Sequence, residues 1–203
     1  MKLLHRADLY GWSRFDEARN MDFNSVLWVR QEGNVVVDPL PLGEHDQKHL
    51  ESLGGVAHLV ITNSDHVRDA AALAQLTGAR VYGPAAEQGA FPLGCDVWLV
   101  DGAEVVPGLR ALSLDGSKTP GELALLLDRT TLVTGDLVRA PRGGALELLP
   151  DAKLSDRAAA LGSLERLLSL HRLEAVLPGD GWPVFRGGYQ ALSELGRRLG
   201  LPS

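Results

Sequence analysis

Three short stretches gather the side chains best suited to hold a cation or move a proton. Asn63-Ser64-Asp65-His66 sets an acid beside an imidazole, and Pro178-Gly179-Asp180-Gly181 sets a carboxylate between glycines. Between them, Gly116-Ser117-Lys118-Thr119-Pro120-Gly121-Glu122 carries an ammonium and is followed by an apolar run and then Thr134-Gly135-Asp136. Carboxylate oxygens and imidazole nitrogens ligate divalent ions, and aspartate with lysine also allows metal-free acid-base chemistry. Plainer roles compete at every position. Asp65 suits the N-cap of a helix starting at His66, Asp136 and Asp180 stand at turns where aspartate bonds its own backbone, and Lys118 suits an exposed loop.

These stretches need a scaffold, and the apolar pattern supplies one. Val26 to Arg30 and Asn34 to Asp38 read as antiparallel strands around Gln31-Glu32-Gly33, and this hairpin is expected to open the fold. Asp46 to Leu53 reads as a short helix, Val56 to Thr62 as a buried strand, and Val67 to Gly78 as a helix leading to a parallel strand at Arg80 to Tyr82. From Asp96 to Val138 the pattern is almost wholly strands: Val97 to Val100, Leu109 to Leu114, Glu122 to Leu127 and Thr131 to Thr134, the last two turning at Asp128-Arg129. Ser155 to Leu170 has helical spacing behind a serine N-cap, Ala175 to Leu177 reads as a buried strand, and Tyr189 to Leu199 as a final helix. Two halves of strand-then-helix composition predict an α/β fold in four layers, αββα, with two mixed sheets between outer helices.

Bulk properties bound the possibilities. A chain of 203 residues suits one domain, 1–203. Twenty basic against 26 acidic residues, with no block of like charge, make nucleic acid an unsuitable generic partner. Cys95 is the single cysteine, so neither an intrachain disulfide nor a multi-cysteine zinc site can form. The first ten residues lack the apolar core of a signal peptide and no later run is apolar enough to span a bilayer, so a cytoplasmic protein without a membrane partner is expected.

The order and spacing of these words resemble the metallo-β-lactamase superfamily over the whole chain. Asp38 falls where the family's opening hairpin ends in aspartate, Asn63 to His66 where its H-x-H-x-D-H loop follows a strand, Thr119 to Gly121 and Thr134 to Asp136 where T-P-G and T-G-D stand, and Pro178 to Gly181 where P-G-H-G stands. The resemblance implies two mixed sheets packed face to face and two adjacent zinc or similar ions. It also implies altered ligands. Lys118 replaces the third histidine of the first ion. A gapped alignment keeps Asp65 and His66 as the family's D-H pair and removes both earlier histidines; an ungapped one instead sets Asn63 and Asp65 at those histidines and Val67 and Arg68 at the D-H pair. On the gapped alignment the first position is empty of ligands, and Asp65, His66, Asp136 and Asp180 remain for one divalent ion such as zinc, manganese or magnesium, or for none. Lys118 is expected to stand in for the missing ion, with Lys118 and Asp65 as the candidate catalytic residues. Arg68, Arg139 and Arg142 read as solvated rather than as an anion-binding rim, and Trp182 as a wall of the cleft.

Two functions follow as alternatives. One is a mononuclear metal-dependent hydrolase of an ester, thioester or phosphodiester; the other is a binding or regulatory protein that keeps the fold and cleft without two-metal hydrolysis. Each takes a small molecule in the cleft.

Overall fold

The computed structural model describes residues 1–201. Its first sheet has seven strands in chain order: β1 (Lys2–Leu3), β2 (Leu9–Asp16), β3 (Met21–Trp28), β4 (Val35–Val37), β5 (His58–Val60), β6 (Arg80–Pro84) and β7 (Val97–Leu99). Pairing is antiparallel from β1 to β4 and parallel from β4 to β7. Helix α1 (Glu44–Ser52) joins β4 to β5, and α2 (Ala70–Thr77) joins β5 to β6. The second half begins with β8 (Glu104–Val106), β9 (Leu109–Ser113), β10 (Leu123–Leu127) and β11 (Thr131–Thr134), continues through a separate hairpin β12 (Val138–Arg142) and β13 (Ala145–Leu148), and ends with α3 (Arg157–Leu168), β14 (Ala175–Pro178) and α4 (Gly188–Arg198). Its main sheet runs β14-β11-β10-β9-β8, with β14 parallel to β11.

Alternation along the strands builds the layers. Val35 and Val37 of β4 face the second sheet, where they meet a core that includes Leu123, Leu125 and Leu127 of β10. Between them Val36 faces outward with Leu50 of α1 and Leu73 of α2. On the far side, Ala124 and Leu132 pack with Leu164 and Leu167 of α3 and Leu192 and Leu195 of α4. Each fully buried leucine contributes roughly 1.5–3 kcal/mol by leaving water, so both faces of both sheets are driven to be covered. The αββα sandwich follows.

Two local expectations need correction. The hairpin β3–β4 does not open the fold, because β1 and β2 precede it and β2 pairs with β3 over its whole length, from Leu9 opposite Trp28 to Asp16 opposite Met21. Ser155 does not cap α3; the side chain of Asp156 accepts from the amides of Ala158 and Ala159 instead. The Asp128-Arg129 turn has the left-handed φ values, 46° and 63°, that a tight hairpin demands. Asp38, Asn63, Asp136 and Asp180 all follow the carboxyl ends of parallel strands, β4, β5, β11 and β14, and therefore converge at one rim of the sandwich.

Candidate functional site

The rim is built on Asp38, whose left-handed φ of 49° turns the chain out of β4. Its buried carboxylate accepts the Thr62 amide at 2.8 Å and the Thr62 hydroxyl at 2.7 Å, and lies 2.8 Å from Nδ1 of His66. His66 closes the short 3-10 turn Ser64–His66, which Asn63 caps by accepting the Asp65 amide through its side chain. With Nδ1 held by Asp38, the opposite edge of the ring points at two further carboxylates. Nε2 lies 3.6 Å from Asp136 Oδ2 and 3.8 Å from Asp180 Oδ1. Burial and the nearby Arg68 oppose charge on this imidazole, but the Asp38 carboxylate bonded to it and the Asp136 carboxylate beside it outweigh them and raise its pKa to about 9. At neutral pH His66 is an imidazolium.

Asp136 is the shared member. Its Oδ2 accepts the Asn63 amide at 3.0 Å and lies 3.1 Å from the Lys118 ammonium, which reaches Asp65 at 2.7 Å on its other side. Burial would raise the pKa of Asp136, yet the imidazolium and the ammonium hold it well below the usual carboxylate range. Burial likewise opposes charge on Lys118, and its bonds to Asp65 and Asp136 raise its pKa in spite of that. Asp65 itself is half-exposed, at 53% of its side chain, and stands apart from His66 although the two are adjacent in sequence.

Asp180 is buried among cations without bonding them closely. Arg68 and Arg139 each approach to 3.6 Å, and Oδ1 has no hydrogen-bond partner among the described residues. Burial and the charge of Asp136 raise its pKa against the pull of His66 and the two arginines. Arg68, at a left-handed φ of 45°, donates to the carbonyls of Asn24, Asp38 and Gly179, so its guanidinium ties three loops together. Gly179 lets His66 in: a Cβ there would lie 2.7 Å from the ring's Cε1.

Sequence reasoning did not single out Glu122 as a site residue. Its fully buried carboxylate receives the Ser117 hydroxyl at 2.5 Å and the Leu137 amide at 2.7 Å, linking the loop of Lys118 to the loop of Asp136. Burial and the neighbouring Asp136 push its pKa up to about 8, so it is mostly the neutral acid at pH 7. The signal was an acid directly before a wholly apolar strand. Arg139 and Arg68 were expected in solvent and are instead buried or nearly so against Asp180, whereas Arg142 is exposed and paired with Glu147 at 2.6 Å. Trp182 is exposed and is not among the residues lining the cleft.

The donor chemistry separates the two ion positions that the resemblance implies. Around the first stand Asn63, Asp65 and Lys118, and a protonated ammonium has no lone pair to give a metal. That position does not fit an ion. The second fits one: donor atoms of His66, Asp136 and Asp180 all lie within 4.8 Å of one another, Asp180 Oδ1 is unsatisfied, and Asp38 steadies the far nitrogen of His66 as a carboxylate steadies a metal-binding histidine. Asp65 lies outside this group, and Asn63 and Asp65 lie beside Lys118 and Asp136, the neighbourhood that the ungapped alignment gives them. Arg19, Phe23 and Leu40 complete a cleft of about 290 Å³ around these residues.

The chain matches the family model described as metallo-beta-lactamase superfamily over residues 1–199. Among solved structures it is similar to the metallo-beta-lactamase from Pontibacter korlensis, at 18% identity and a TM-score of 0.72 with 93% of each chain covered. It is similar to TTHA1623 in a di-iron-bound form, at 24% identity and a TM-score of 0.66, covering 92% of this chain and 97% of that one. The metallo-beta-lactamase FIM-1 from Pseudomonas aeruginosa in its mono-zinc form matches at 14% identity and a TM-score of 0.72, covering 96% and 92%. A search of the curated proteins found no match. Fold, order of motifs and family match agree, and the chain belongs to the metallo-β-lactamase superfamily.

Proposed function

We propose that this chain is a hydrolase-like member of its family whose cleft takes a single divalent cation at His66, Asp136 and Asp180, with the Lys118 ammonium replacing the other ion. The observation that carries this reading is the position of Lys118 Nζ, 2.7 Å from Asp65 and 3.1 Å from Asp136. Two carboxylates ~4 Å apart repel by ~4 kcal/mol at an effective dielectric near 20, and a cation between them removes that cost. A divalent ion in the second position would supply Lewis acidity for water and for a scissile carbonyl or phosphoryl group. His66 would hold the ion through Nε2 after loss of that proton, keeping Nδ1–H on Asp38. Asp136 and Asp180 would each offer it one carboxylate oxygen. Lys118 then faces negative charge as it develops on the substrate oxygen, and Asp65 keeps the ammonium aimed. Phe23 and Leu40 offer an apolar wall to a small ester, thioester or phosphodiester.

A second reading, a binding protein without hydrolysis, is favoured by the charge balance. Asp38, Asp65, Asp136 and Asp180 are four anions, and His66, Arg68, Lys118 and Arg139 are four cations within salt-bridge reach of them. These eight groups balance one another and Arg19 adds a further cation at the lining, so the cleft's carboxylates are compensated by its own side chains alone. Metal content of protein purified without chelator, followed by ester and phosphodiester assays with added zinc or manganese, separates the readings. Near-stoichiometric metal with turnover supports the hydrolase; substoichiometric metal and no turnover under every ion removes it. Lys118→His should still hold no more than one ion, and two ions per chain in that variant would defeat the proposed role of the ammonium.

A further inference from the structure

At the opposite end of the second sheet lies a cavity of about 700 Å³, more than twice the 290 Å³ of the cleft. Arg129 precedes β11 and Asp136 follows it, so a four-residue strand, roughly 13 Å, separates the two. Three arginines reach this cavity from three elements: Arg110 from β9, Arg129 from the β10–β11 turn, and Arg172 from the segment after α3. All three are exposed, and among the described residues none has a carboxylate partner or a side-chain hydrogen bond. The lining also holds two acids, but both are engaged. Glu104 accepts the Gly108 amide at 3.1 Å, and Asp128 pairs with Arg6 at 2.8 Å.

This asymmetry runs against the chain's net charge of -6. Guanidinium groups lining one cavity, beside acids that are already engaged, match phosphate or carboxylate oxygens through paired N–H donors. Leu126 and Leu170 in the same lining give an apolar surface for the body of such a molecule. Ligand sites of ~300–1,000 Å³ commonly combine an apolar lining with a few polar anchors in this way.

We propose that this cavity binds a small organic anion, its acidic groups on Arg110, Arg129 and Arg172 and its apolar body over Leu126 and Leu170, independently of the cleft. Calorimetric titration in 0.15 M NaCl with adenosine diphosphate and with isophthalate separates phosphate from carboxylate chemistry, and pyrophosphate measures the contribution of the body. At least one of the first two probes should bind one per chain. Arg129→Asn, which suits the left-handed turn, combined with Arg172→Ala should weaken that binding at least ten-fold, while Lys118→Met in the cleft should leave it unchanged. No binding of either probe at millimolar concentration overturns the proposal. So does binding that survives the double variant, or that is lost in Lys118→Met.

Discussion

The two halves of the cleft share Asp136 and compensate its charge in opposite ways. In the first half the counter-charge is the Lys118 ammonium, a partly exposed cation fixed to the chain, held between Asp65 and Asp136. In the second it is the His66 imidazolium, buried and braced by Asp38, with Arg68 and Arg139 standing off Asp180 at 3.6 Å. A lysine cannot offer a lone pair while charged, whereas an imidazolium becomes a ligand by losing one proton. The comparison teaches that one carboxylate can be balanced by two cations of different kind, an ammonium with no lone pair to give and an imidazolium that frees one by losing a proton.

The strongest test of that link is Asp136→Asn. It leaves Lys118 and His66 facing a neutral amide, and breaking a buried charged network in this way costs about 3–5 kcal/mol. Urea unfolding should show that loss; a change below about 1 kcal/mol would break the picture of a shared anion. Next comes the pH response of the second half. The folded pKa of His66, about 9, lies above the ordinary 6.5, so its stabilisation is fully present below pH 6.5 and is lost as pH rises through 9. At about 1.4 kcal/mol per unit this amounts to about 3 kcal/mol. Glu122, raised to about 8 from 4.5, adds a loss over the lower window between those values. Unfolding midpoints from pH 6 to 10 should therefore fall in the unsubstituted protein and flatten above pH 8 in His66→Gln; an unchanged slope there would remove the imidazolium from the account. The smallest effect belongs to Asp65→Asn. An exposed pair contributes about 0–1 kcal/mol, so stability should barely move. A large loss would show that the first half is as tightly built as the second.

Much of the scaffold was legible because its signals are local. Val35 to Val37 and Leu123 to Leu127 alternate between the inter-sheet core and the outer layers as strand periodicity requires, and Gly78 ends α2 in the left-handed conformation. Strand β2 escaped notice because Ser13, Arg14 and Phe15 are exposed and its stability comes from β3 alongside, not from its own pattern. Within the site, the order of the motifs led to His66, Lys118, Asp136 and Asp180. The contacts that set their charge were not visible in the same way: Asp38 was legible as a motif position but not as the partner of His66, and Glu122, Arg68 and Arg139 meet the cleft only through contacts between separate segments.

The order and spacing of short motifs carry the resemblance to the family, and apolar periodicity carries the αββα layering, because each is written in short stretches of chain. Only the tertiary structure decided how Asp65 and His66, adjacent in sequence, divide between the halves of the cleft. A 3-10 turn rotates successive side chains by about 120°, so one faces Lys118 and solvent while its neighbour faces Asp136 and Asp180. The same holds for the charge on each group, since burial and the distance to the nearest opposite charge exist only once the loops have met.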